Sequence, residues 1–161
     1  MNSFFLGMVI VIFIIELVCI IVLSKKIEGK NKAIKHAYKA VSKNERLFLM
    51  ALKWAEKNRK FNCVYEYLKN EGYSSIIIYG MHYAGNMIVE ELKDTDINIV
   101  CGLDRNCESV ISFIKTIHPD KEIPKADVIV VTPIASFPEI EDMLRNRVNY
   151  PIISLEDIIY D

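Results

Sequence analysis

Residues Ser74 to Asp94, SSIIIYGMHYAGNMIVEELKD, constrain this chain more than any other stretch. A short run of β-branched and aromatic residues stops at a glycine, and apolar residues then recur at helical spacing. A buried strand, a glycine turn and an amphipathic helix, in that order, open a dinucleotide-binding α/β fold, where the helix N-terminus can receive a phosphate. The turn departs from G-x-G-x-x-G at its middle glycine, because it reads Gly80-Met81-His82-Tyr83-Ala84-Gly85. That middle glycine normally lets the backbone approach a pyrophosphate closely, and His82 stands in its place.

The rest of the C-terminal half repeats the alternation. A strand over 75–79 leads to a helix over 84–93, a strand over 97–101 ends at Gly102-Leu103-Asp104, and residues 107–119 read ambiguously, as a short helical turn and then a short strand at 114–117. A strand over 127–131 ends at Thr132-Pro133, a helix follows over 138–146, then a strand over 151–154 and a last helical turn over 155–159. The runs IIIY, INIV, VIVV and PIIS are apolar almost throughout, as strands covered on both faces must be. Alternation with helices then predicts a small doubly wound parallel sheet, Rossmann-like, of about four to five strands.

Upstream, Phe4 to Leu23 are twenty positions with one charge, Glu16. As a helix they span roughly 30 Å, one hydrocarbon core. No basic residue precedes this span, and no small-x-small cleavage site follows it, so it reads as a transmembrane helix rather than a signal peptide. Residues 24–60 carry twelve Lys/Arg against three acids, and residues 61–161 carry eight against seventeen. Cations immediately after the span place the C-terminal body in the cytoplasm, in a single-pass cell-membrane topology. The basic 25–60 segment suits an anionic lipid surface, and the acidic body argues against nucleic acid. Glu16 marks either a contact to a membrane enzyme partner or a carboxyl that is simply tolerated there.

Three segments follow: residues 1–24 as the transmembrane helix, 25–72 as basic juxtamembrane and lead-in helices, and 73–161 as the α/β domain. Within the second, Ile27, Ile34, Val41 and Phe48 recur every seven residues, although Lys30, Asn31 and Glu45 interrupt the partner positions of a coiled-coil seam. Ser42-Lys43-Asn44-Glu45 has the form of a capping box and predicts a new helix running to about Arg59. Asn62 can cap a short helix over 63–70 that ends at Gly72.

Ligands of open α/β sheets sit beyond the carboxyl ends of the strands, which gathers the candidates. Gly80 allows a turn directly after the strand, and Gly85 allows close helix–strand packing. Asp104 lies twenty-four residues after Gly80, near the spacing of the acid that takes ribose hydroxyls, and Thr132 offers a hydroxyl beside the crevice. A neutral His82 can donate to a phosphate or a sugar. The plain alternative is that both glycines serve folding alone, that Asp104 caps the next loop and that His82 covers an emptied site. Tyr83 has Met87 where reductase chemistry needs a Lys, and no nucleophile–base set appears, so a catalytic role has little to stand on. The four cysteines lack C-x-x-C spacing and a histidine cluster, so no metal site is read.

The stretches IIIYGMHYAGNMIVEELKD, GLDRN, ADVIVVTPIASFPEIEDML and YPIISLEDIIYD resemble a small Rossmann-like domain of Firmicute polysaccharide-synthesis clusters, found alone or fused to glycosyltransferase-like proteins. The resemblance covers about residues 47–161, and extends more distantly to the nucleotide-sugar-binding domain of sugar O-acyltransferases. It implies an NAD(P)-binding-like fold, with Gly80, Gly85, Asp104 and Thr132 on the nucleotide side, while His82 departs from the family's glycine. A membrane-anchored accessory or regulatory module that binds NAD(P) or a nucleotide-sugar is the resulting expectation. A ligand-free scaffold docking a membrane enzyme and a small NAD(P)-dependent reductase or epimerase are the alternatives.

Overall fold

The computed structural model describes residues 2–58 and 62–161, with the side chains of all of these except 2–12, 14, 15 and 39. The elements in chain order are α1 (Asn2–Asn58), α2 (Cys63–Asn70), β1 (Ser75–Tyr79), α3 (Tyr83–Leu92), β2 (Asn98–Leu103), β3 (Thr116–Ile117), β4 (Val128–Val131), a 3-10 turn (Ile134–Ser136), α4 (Phe137–Arg145), β5 (Ile152–Ser154) and α5 (Leu155–Tyr160). All five strands are parallel and lie in the order β3-β2-β1-β4-β5. This is the order expected of a Rossmann-type sheet, with β1 at the centre. The chain divides into two compact units, Met1–Glu45 and Arg46–Asp161, and the sheet belongs to the second.

Successive side chains of a strand point to opposite faces, so an apolar run feeds two cores. Ile76 and Ile78 of β1 pack with α2, α3, α5 and the end of α1. Ile77 and Tyr79 pack on the other face with Ile129, Val131 and, from α4, Ile140 and Leu144. The register with β2 slips by one residue between Ile76 and Ile77, and Tyr79 finishes opposite Leu103. The β1 entrance is pinned to β4 by Asp127, whose Oδ2 accepts from the Ser74 amide (2.9 Å), the Ser74 hydroxyl (2.9 Å) and the Ser75 amide (2.8 Å).

The last turns of α1 are part of the α/β unit. Trp54 is 1 % exposed and Met50 4 %, both in the core under β1. Burying an indole removes roughly 200 Å² from water, at most about 5 kcal/mol by area. A single carboxylate then joins three helices. Glu91 of α3 accepts from the Trp54 indole (2.9 Å), the Asn58 amide side chain (2.8 Å) and the Val64 backbone N–H at the start of α2 (2.7 Å). Asn62 stands at the N-cap of α2 as the sequence suggests, but its side chain makes no cap bond. Arg46 forms a two-pronged ion pair with Glu156, tying α1 to α5.

Two expectations need correction or restriction. α1 runs unbroken through Ser42, so Ser42 to Glu45 is not a capping box. The pattern caps only where the residues before it leave the helix, and here Ala37, Ala40, Leu47 and Met50 on either side are strong helix formers with no Gly or Pro between them. Most side chains of the Phe4–Leu23 span lie outside the described residues. Among the described residues no helix is long and apolar enough to cross a membrane. Residues 107–119 resolve into a turn-rich loop and the two-residue strand β3.

Candidate functional site

The turn after β1 is built around two glycines that tolerate no side chain. Gly80 has φ +93°, a region that favours glycine, and a Cβ there would lie 2.6 Å from the Thr132 hydroxyl and 2.7 Å from Pro133 Cδ. A Cβ on Gly85 would lie 2.4 Å from the Gly80 carbonyl oxygen. The first turn of α3 thus rests directly on the backbone at the end of β1. The Gly80 amide donates to the Leu103 carbonyl at 2.8 Å, holding the turn to β2.

Thr132, at the end of β4, is 7 % exposed. Its hydroxyl donates to the Gly80 carbonyl at 2.7 Å, and its amide to the Tyr79 carbonyl at 2.9 Å. Asp104, just past β2, is equally engaged: Oδ2 accepts from the Met81 amide (2.9 Å) and Oδ1 from the Asn106 amide (2.8 Å). The Met81 amide belongs to the turn that would face a phosphate, so the chain's own carboxylate occupies one of its donors.

Met81 belongs to the core beneath the turn. It is fully buried, and its side chain fills the notch left by two small residues. A Cβ on Gly102 would meet Met81 Cγ at 2.5 Å, and one on Gly85 would meet Met81 Sδ at 3.3 Å. His82, by contrast, stands exposed at the N-cap of α3, its side chain making no cap bond and its ring edge-on to Tyr83, with centroids 4.3 Å apart. The structure therefore brings Gly80, Gly85, Asp104 and Thr132 into one hydrogen-bonded turn, with His82 on its outer side.

Other residues at this edge escaped the sequence reading. Asn86 of α3 clips the β2–β3 loop, donating to the Ile111 carbonyl (2.7 Å) and accepting from the Phe113 amide (3.3 Å). Around that clip Tyr83, Met87, Ile111 and Phe113 are 80, 49, 82 and 61 % exposed. On the opposite face, the buried Tyr79 hydroxyl has no hydrogen-bond partner among the described residues. Burial pushes its pKa up, and the nearby Arg105 guanidinium opposes that. Arg105 itself reaches the Met143 thioether at 3.9 Å. The only advance signal for this pair is strand register: Arg105 lies two residues beyond Leu103, the partner of Tyr79.

Fold and turn together define a Rossmann-type α/β domain whose glycine turn is packed from within. No family model, no curated protein and no solved structure matches the chain.

Proposed function

We propose that this protein is a non-catalytic Rossmann-type module, held at the inner face of a membrane by the Phe4–Leu23 span, that docks a membrane enzyme of cell-surface polysaccharide synthesis. The observation that carries the reading is the internal use of the turn. Asp104 takes the Met81 amide, Thr132 takes the Gly80 carbonyl, and the Met81 side chain packs into the core against Gly85 and Gly102. Four large apolar side chains exposed around Asn86 support a protein partner, since surface apolar groups gathered in one place are a common mark of association. The pathway and the membrane attachment rest on the resemblance and the hydropathy of the N-terminal segment.

A nucleotide or nucleotide-sugar ligand is the second reading. It is favoured by Arg105, which has a thioether rather than a carboxylate as its partner, beside the buried Tyr79 hydroxyl. Thermal unfolding of the full chain in detergent, with NAD(H), NADP(H) and UDP-sugars at millimolar concentration, separates the two. A ligand at a hundred times its Kd adds about 2.7 kcal/mol, raising Tm by roughly 10 °C for a unit of this size. The docking reading expects no shift. A shift abolished by Arg105→Ala replaces it with the nucleotide reading.

A further inference from the structure

One face of α1 repeats every seven residues. With Ile27 as position a of a heptad, Ile34, Val41 and Phe48 also fall at a, Lys30, Ala37, Asn44 and Ala51 at d, and Asn31 and Glu45 at the flanking e position. From residue 33 to 55 every cation stands at an outer position: Lys35 at b, Lys43 at c, and Lys39, Arg46 and Lys53 at f. The interruption expected at Ser42 does not exist, so the seam lies on one continuous helix. It is also open. Ile34, Val41 and Phe48 are 53, 63 and 62 % exposed, although Met50 and Trp54 on the same helix are buried in the α/β core.

We infer that this seam is an interaction surface for a second copy of the chain, joined in parallel as a two-stranded coiled coil over residues 34–55. An apolar period of 3.5 marks a left-handed supercoil between helices rather than a helix lying on a globular core, where the period is 3.6. Ile34 and Val41 supply the β-branched a residues of two-stranded coiled coils, with the small Ala37 and Ala51 in place of the usual leucine at d. In a parallel, in-register pair Asn44 at d stands opposite its own equivalent, where the two side-chain amides can hydrogen-bond to each other. Charge points to the same occupant. A segment this basic would repel its copy if cations lined the seam, but b, c and f positions point away from it. The surface is independent of whatever the sheet edge binds.

The test is the mass of the full chain in detergent by sedimentation equilibrium at micromolar protein. Twice the chain mass of 18.6 kDa is expected. The double variant Val41→Asp/Phe48→Asp should be monomeric, with its circular dichroism and Trp54 fluorescence unchanged because both positions are exposed. Lys35→Asp, at an outer position, should stay dimeric. In a Cys19→Ser/Cys107→Ser background, Asn44→Cys should oxidise to a disulfide-linked dimer and Lys43→Cys should not. A monomeric wild-type chain, a dimer that survives the double variant, or cross-linking through residue 43 rather than 44 would each overturn the proposal.

Discussion

At Gly85 a single added methyl group decides whether α3 can seat on β1. Its carbon would sit 2.4 Å from a backbone oxygen that has nowhere to move, since the Gly80 carbonyl is held by Thr132. Gly85→Ala should therefore lower stability by about 1–3 kcal/mol, measured by denaturant unfolding. Asp104 gives a sharper discrimination. If its task were to await a ribose, Asp104→Ala would leave the ligand-free protein as stable as before. Its two bonds to backbone amides predict instead a loss of about 2–3 kcal/mol without any ligand present. A third residue sets an acid limit. Hydrogen bonds from the Ser74 amide, the Ser75 hydroxyl and amide, and the Ser74 hydroxyl hold the Asp127 carboxyl down to about 2, against an ordinary 3.8. A depressed folded-state pKa stabilises above the ordinary value and is lost as pH falls through the folded one. Asp127→Asn should accordingly flatten the decline in Tm between about pH 4 and pH 2. At this scale the sequence was legible where chemistry forced one residue type. Gly80 and Gly85 announced a tight turn because only glycine fits it. Asp104 and Thr132 announced polar groups at strand ends, but spacing cannot say whether such groups face a ligand or their own backbone. Met81 gave no signal, since a methionine in a turn reads as filler until its neighbours are known to be Gly85 and Gly102.

Among the elements, strands were more legible than helix ends. β1, β4 and β5 are built on β-branched runs bounded by turns, β2 on a shorter Ile99-Val100 pair, and both faces being covered made them stand out. β3 has two residues and is held by the loop before it, through bonds among Ser112, Ile114 and Thr116, so the short strand read over 114–117 could be placed only approximately. The cap at Ser42 failed because a cap motif is local while helix continuation depends on the residues flanking it. The join between α1, α2 and α3 depends on Glu91, which in the sequence is one acid among several on an exposed-looking helix. Glu91→Ala should leave the Trp54 indole and the Val64 amide without an acceptor, costing about 2–4 kcal/mol. The accompanying sign is a red shift of Trp54 emission, the only tryptophan in the chain.

For the whole molecule, the division after Glu45 carries a direct expectation. Every buried apolar side chain among the described residues lies from Met50 onward. A fragment of residues 46–161 should thus keep its near-ultraviolet circular dichroism, which reports the packed Trp54, and a Tm within roughly 2 °C of the full chain's, when heated side by side. The core also joins elements far apart in sequence. Leu155, Ile158 and Ile159 of α5 share one cluster with Met50 and Trp54, and Glu156 grips Arg46. During synthesis on a ribosome, α1, β1 and β2 emerge long before α5 does. At about 5–20 residues per second, the 56 residues between Leu103 and Ile159 take roughly 3–11 s to add. For that interval the nascent sheet lacks the part of its apolar cover that Leu155, Ile158 and Ile159 supply, and exposed apolar surface of that kind is what makes folding intermediates prone to aggregate.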